Sequence, residues 1–446
     1  MDLIGLIPSF GSVALTVAAF IVALTVIVAV HEYGHYIIGR ISGIKADVFS
    51  IGIGPVLVSR TDRHGTRWQI AALPVGGYVK FHGDANAASG TVDESALAGM
   101  SDGERRQTLH GAPLWARAAT VAAGPIFNFI LSALIFAGFL MSQGIATDPL
   151  SVAALKDIPG LTRSLEPGDE ILAIDGKETP ELAEFSAYVE TLPAQSPLEY
   201  LVRRDGAQVS VSALHPYPPF VSGLSPQSAA VDAGLKVNDL ITHVNGQPVA
   251  TFEELRQIVV NGDGAEVALE INRAGETLNV TLAPRRVDLP KAEGGFETRW
   301  LIGITGGLMF EPMTQSPGVI KSLTYGADQT AYIVEASISG LYSMITGAIS
   351  SCNLRGPIGI AQTSGQAAAQ GVGSFIWFIA VLSTAVGLLN LFPIPILDGG
   401  HLVFHAWEAV TGNPPSDRAL RFLMSIGLFL ILGLMGLGLV NDLFCP

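Results

Sequence analysis

The chain has 446 residues, of which 49% are hydrophobic and only 14% charged, with a mean hydropathy of +0.44. A soluble protein of this length would carry more charge, so the composition predicts residence in a membrane. The formal net charge of −14 argues against nucleic acid as a partner, because phosphate recognition rests on basic surface.

The first apolar block, residues 3–30, is uncharged and long enough to cross about 30 Å of hydrocarbon. A secretory signal peptide is the bland alternative. No Lys or Arg precedes the block, and it is too long for an h-region. The block runs into His31-Glu32-Tyr33-Gly34-His35. Imidazoles at i and i+4 of a continuing helix face one side, as two ligands of one Zn²⁺ require, with the Glu near the metal's open position. At bilayer depth this pattern predicts hydrolytic chemistry.

Residues 40–117 hold nine Lys/Arg, and none precedes the first span. By the positive-inside rule this stretch is cytoplasmic and both termini lie outside. Within it, residues 49–59 and 67–81 read as strands parted by the turn cluster Thr61-Asp-Arg-His-Gly65. Gly52, Gly54, Gly76 and Gly77 leave room for the backbone of another chain. Residues 84–112 are polar, small and irregular, and read as unstructured. His64 and His82 fall in polar loops and need no special role. Residues 118–147 are uncharged and form a second span containing Gly124-Pro-Ile-Phe-Asn128, a stretch that also suits simple close helix packing.

Residues 148–316 carry 24 Asp/Glu against 12 Lys/Arg, a balance compatible with a translocated domain, whose passage is insensitive to charge. They contain a repeat at an offset of 70 residues: Gly168-Asp-Glu-Ile-Leu-Ala-Ile-Asp-Gly176 matches Asn238-Asp-Leu-Ile-Thr-His-Val-Asn-Gly246. Each copy alternates apolar residues into a hairpin turn and is followed by a short helical stretch and a β-rich run. The copies resemble PDZ domains, at residues 148–216 and 217–287. The second carries Ser228-Ala-Ala-Val-Asp-Ala-Gly-Leu235 ahead of its strand, which the first lacks. A PDZ fold implies either peptide capture at a sheet edge or a steric filter.

Residues 318–349 are mildly amphipathic, which favours a membrane-surface helix, with a fifth span as the alternative. A third apolar block covers residues 375–397 and a fourth residues 422–440. The third leads into Asn390-Leu-Phe-Pro-Ile-Pro-Ile-Leu-Asp-Gly-Gly400. Pro393 and Pro395 break the helix there. Asp398 at this depth is costly unless it pairs or coordinates, which makes it the best candidate for the third ligand a catalytic zinc needs. His401 and His405 form a second i, i+4 pair, but Leu402 stands where the base would be. They read as polar residues of a cytoplasmic helix start. Cys352 and Cys445 are far apart in sequence, and a bridge between them is not expected.

The His31–His35 motif, the Asn390–Gly400 stretch and the tandem repeats together resemble the site-2 protease family of intramembrane zinc metalloproteases, in its regulator-of-sigma-E type. Gly76-Gly-Tyr78, Gly124-Pro-Ile-Phe-Asn128 and Gly356-Pro-Ile-Gly-Ile-Ala361 extend the likeness over the whole chain, and by that resemblance Gly124–Asn128 matches the family's second-span motif. The resemblance implies Zn²⁺ held by His31, His35 and Asp398, with Glu32 as general base. It implies that Asn390 lies near the substrate backbone, and that Gly76, Gly77 and Tyr78 lie in a membrane-associated hairpin where an unwound substrate could add as a strand. The implied substrates are single-pass membrane proteins, either anti-sigma-factor-like regulators or remnant signal peptides.

The expected fold is a polytopic α-helical membrane protein with four transmembrane helices, a membrane-associated β-hairpin and two extracytoplasmic PDZ-like α+β domains. Expected boundaries are 1–40 for the first span, 41–117 for the cytoplasmic loop, 118–147 for the second span, and 148–216 and 217–287 for the PDZ-like domains. Residues 288–372 form a linker with the surface helix, 373–400 the third span, and 401–446 a cytoplasmic turn with the fourth. The expected location is a bacterial inner membrane, with the lipid bilayer as partner, the active site toward the cytoplasm and peptide ends as candidate ligands of the PDZ-like pair. Two other classes compete. A silent PDZ scaffold is opposed by the intact Glu32, and a zinc transporter by the lack of ionisable residues in mid-span.

Overall fold

The computed structural model describes residues 6–84, 100–156, 158, 165–291 and 295–445. They fall into two compact units, one comprising Met1–Gly138, Ser322–Tyr342 and Ser351–Pro446, the other Phe139–Lys321 and Ser343–Ser350.

The first unit opens with helix α1, Leu6–Ile41. A lipid-embedded backbone must satisfy its own hydrogen bonds, so an uncharged run of this length becomes helical despite its many β-branched residues. The His31–His35 motif lies within this helix. Strands β1 (Ala46–Thr61) and β2 (Arg67–Phe81) follow. They do not make a plain hairpin. Ser50 pairs with both Tyr78 and Gln69, while Val58 pairs with Ile70, so β1 doubles back on itself. The bend sits at Gly52 and Gly54, with φ of +87° and +89°, values open to glycine. Phe49, Val79, Phe81 and Ile44 are buried together with Tyr36 of α1.

The expectation of an unstructured 84–112 is corrected in part. A capped turn of helix, α2 (Asp102–Arg105), leads to Leu109 and Ala112, which are buried in the same cluster. Residues 85–99 lie outside the described set. Helix α3 then spans Leu114–Gln143, with Pro125 inside it.

The second unit holds the two repeats, and they fold alike. In the first, β3 (Glu170–Ile174), β4 (Lys177–Glu178), helix α4 (Phe185–Glu190), β5 (Leu198–Arg204) and β6 (Ala207–Ala213) give the sheet order β4-β3-β5-β6. In the second, a short helix α5 (Ala229–Asp232) precedes β7 (Leu240–Val244), β8 (Gln247–Pro248), α6 (Phe252–Asn261), β9 (Val267–Arg273) and β10 (Glu276–Leu282), ordered β8-β7-β9-β10. Each repeat has its own apolar core, around Tyr200 in one and Ile241 in the other.

The expected linker at 288–372 is largely structured. Strands β11 (Arg285–Pro290) and β12 (Phe296–Leu301) pair with each other, and Ile304–Thr305 and Phe310–Pro312 return to pair with Gly223–Leu224 and Val152–Leu155. Helix α7 (Val319–Ile345) is continuous over 27 residues. Helix α8 (Pro357–Ala369) was not foreseen and packs on α1, where Gly365 meets Thr16.

The third span is shorter than expected. Helix α9 runs over Val372–Leu391 and stops before Pro393, and Asp398 opens a separate helix, α10 (Asp398–Thr411). The expected cytoplasmic turn is therefore helical. Helix α11 (Asp417–Phe444) ends the fold. Among the described residues four helices, α1, α3, α9 and α11, are long and apolar enough to cross a membrane, and α7 is not one of them.

Cys352 and Cys445 are bridged, with Cα atoms 5.6 Å apart, which corrects the expectation drawn from their spacing. The bridge sits beside Asn441, whose amide donates to the carbonyls of Ser351 and Leu354, and beside Asp442, which accepts from the N–H groups of Gly356 and Gly359 at the start of α8.

Candidate metal centre

Helix α1 carries His31 and His35 one turn apart, and their Nε2 atoms lie 3.2 Å from each other. Asp398 Oδ2 lies 3.1 Å from His31 Nε2 and 3.5 Å from His35 Nε2. Zinc with ligands at about 2.0–2.1 Å sets the edges of its tetrahedron near 3.3 Å. All three edges match. Among the described residues, no other group of three His, Cys, Asp or Glu side chains converges closely enough to hold a metal ion. Asp398 Oδ2 is also buried without a well-formed hydrogen bond, as suits an atom reserved for a cation. The donor set is the nitrogen and oxygen set zinc accepts, with one tetrahedral position left over.

The neighbourhood explains how the ends of the chain meet. Gly399 and Gly400 let α10 start tight against the end of α9: a Cβ on either would lie 2.3 Å from a backbone carbonyl of Leu391, Phe392 or Ile394. That fold-back brings Asp398 into the first turn of α10, where the helix N-terminus favours a carboxylate. Helix α3 approaches α1 at two glycines. A Cβ on Gly34 would lie 2.5 Å from the Ala123 carbonyl, and one on Gly124 would lie 2.4 Å from His35 Nε2. His35 Nδ1 stands 2.8 Å from the Thr120 carbonyl. A carbonyl only accepts, so that nitrogen carries the proton and Nε2 keeps its lone pair for a metal.

Glu32 opens onto the same cavity, of about 280 Å³, lined also by Gly77, Tyr78 and the three candidate ligands. Its carboxylate is hydrogen-bonded to the backbone of Val79. Gly77 lies against it, since a Cβ there would stand 3.1 Å from Glu32 Cγ. Gly77 pairs with Ile51 and Tyr78 with Ser50.

Of the remaining candidates, Gly76 does not line the cavity, and Asn390 donates to the Val386 carbonyl of its own helix instead of facing the site. His401 and His405 do line it, on α10, together with His110 and Arg117. Burial lowers the basicity of both, His405 to about 4, which keeps these imidazoles neutral at physiological pH. Sequence reasoning missed Thr120 and Gly124 as neighbours of the ligands. The Gly124–Asn128 motif was visible, but its partner on α1 was not.

A family model described as Peptidase family M50 matches residues 19–434. The chain belongs to peptidase family M50. Among its relatives, a protein of Agrobacterium fabrum named as a zinc metalloprotease is 36% identical over 431 residues, 96% of this chain and 95% of its own. A Brucella suis zinc metalloprotease is 34% identical over 98% of this chain and 97% of its own. The regulator of sigma-E protease of Salmonella typhimurium is 35% identical, with 97% and 99% covered. As an M50 peptidase the chain is a zinc metalloprotease, and bound zinc would supply Lewis acidity to the reaction.

Proposed function

We propose that this M50 peptidase is an intramembrane endopeptidase that cuts the transmembrane segment of single-pass membrane proteins. His31, His35 and Asp398 hold the zinc, and Glu32 is the general base. The observation that carries the reading is the meeting of two α1 imidazoles with a carboxylate from the far end of the chain, on helices of membrane-spanning character.

Glu32 follows His31 directly and its backbone partner Val79 steadies it, so its carboxylate can take a proton from water and return it to the leaving amine. A helical substrate hides its amides and must unwind before attack. The Gly77–Tyr78 segment offers a backbone edge beside Glu32 for the unwound stretch, and the exposed apolar residues Val56, Leu57 and Val58 of β1 suit insertion into lipid. Asn390 gives one amide N–H to the Val386 carbonyl, which leaves its oxygen and second N–H as the groups to meet a substrate backbone.

The two repeats act as a substrate selector outside the membrane. A cleft of about 610 Å³ between them, lined by Tyr217, Phe252 and Glu253, suits a peptide end or a steric gate. The relative named as a regulator of sigma-E protease points to an anti-sigma-factor-like substrate, with remnant signal peptides as the second class.

The test is co-expression with candidate single-pass proteins, comparing fragments from the wild type and Glu32→Gln. Zinc retained at one per chain with cleavage lost is the expected result. Normal cleavage by Glu32→Gln would overturn the assignment and leave the chain a scaffold.

A further inference from the structure

Asn128 of α3 is fully buried, and its carboxamide Nδ2 stands 3.2 Å from His31 Nδ1, while its Oδ1 has no partner. The carboxamide's own backbone is clamped: the hydroxyls of Ser132 and of Ser383 on α9 both reach the Asn128 carbonyl, at 3.1 Å and 2.9 Å. Ser132 also reaches the Ala380 carbonyl. Both serines are fully buried. Gly387 of α9 closes the arrangement, since a Cβ there would stand 3.1 Å from Asn128 Cβ. Packing alone would use an apolar residue here, because a buried carboxamide is costly without partners.

An imidazole that gives Nε2 to a metal carries its proton on Nδ1, and that N–H needs an acceptor. For His35 the Thr120 carbonyl is the acceptor. For His31 the group in that place is the Asn128 side chain. The oxygen and nitrogen of a carboxamide occupy nearly the same positions, and a half-turn about its last bond presents Oδ1 to Nδ1–H.

We propose that Asn128 is the positioning residue of His31: its carboxamide oxygen accepts the Nδ1 proton, fixes the ring and its tautomer, and so sets the zinc affinity of the centre. Asn128 touches neither the metal nor the reacting atoms and acts through His31. The proposal rests on the zinc reading above and deepens it.

Two substitutions of similar size separate orientation from packing. Asn128→Asp keeps an acceptor for Nδ1–H, whereas Asn128→Leu fills the space without one. Full-length protein in detergent is titrated with zinc against a competing chelator, and the visible spectrum of the Co²⁺-substituted form reports the ligand geometry. The expected result is a zinc affinity about 10–100-fold weaker in Asn128→Leu, an altered cobalt spectrum, and an affinity within a few-fold of wild type in Asn128→Asp. A packing role gives the opposite order, with Leu tolerated and the buried carboxylate disruptive; that order, or equal affinity in Leu and wild type, overturns the proposal. Should the Leu variant fail to give monodisperse protein, Asn128→Ala removes the acceptor without adding bulk and is held to the same expectation. Failure of the wild type to bind zinc would instead overturn the metal reading itself.

Discussion

Gly124 sets a tight steric demand directly on the two imidazoles of the centre. A methyl group there would come within 2.6 Å of two atoms of His35 and 2.8 Å of His31 Cε1, distances at which something must move. Gly124→Ala is expected to drop bound zinc well below one per chain and to slow cleavage at least about 100-fold. Metal analysis and fragment counting check this. Gly138, on the same helix with open space around it, is the control, and Gly138→Ala is expected to keep both. At this scale the sequence was most legible where chemistry dictates spacing. His31, Glu32 and His35 follow from the i, i+4 geometry of one helix, and Asp398 from the cost of a carboxylate at membrane depth. Gly124–Asn128 was visible as a second-span motif, but what faces it and Thr120 across the helix interface is encoded by no local pattern.

Elements were legible where hydrophobic length or alternation is strong, as in the four spans and the strand pairs of both repeats. Helix α8 escaped notice because 357–369 is a short run of small residues, which helical packing on Thr16 explains and composition does not. The end of α9 was placed too late because the apolar run continues through Pro393 and Pro395, although proline cannot continue the helix. The repeats also share an ion pair that their sequences disclose only together: Arg204 grips Asp169 in the first, and Arg273 grips Asp239 in the second, with both carboxylates buried. Burial opposes the charge of Asp169, but the bonds from Arg204 and the Glu166 N–H outweigh it and hold the carboxyl below its usual range. A carboxyl lowered in the fold stabilises above the unfolded value of about 3.9, and that contribution is lost as pH falls through the folded value. Asp169→Asn is expected to destabilise the first repeat by about 2–3 kcal/mol, below the range for a wholly buried pair because Arg204 keeps Glu166. Thermal unfolding at pH 7 checks the size, and the difference from wild type is expected to shrink on acidification below pH 4.

On the scale of the whole molecule, charge placement and the cysteine bridge make separate statements about sidedness. By the positive-inside rule the basic stretch 40–117 predicts a cytoplasmic β1–β2 region, and four crossings would then place the start of α1 and the end of α11 on the outer side. The pairing of Cys352 with Cys445 could not be read across 93 residues of sequence, yet it bears on the same question, because stable bridges form where the compartment is oxidising. Both cysteines lie at the end of the bundle marked by the last turn of α11, which the charge argument assigns to the outside. Membrane-impermeant maleimide on intact cells decides the matter with two single-cysteine probes at exposed positions, His64→Cys in the β1–β2 turn and Gln208→Cys at the start of β6. Gln208→Cys is expected to label on intact cells and His64→Cys only after lysis, with the native pair silent until reduced. Labelling of His64→Cys on intact cells would invert the topology. Native cysteines that react without reductant would mean that the bridge does not form in the membrane, and the sidedness would then stand on the basic residues alone.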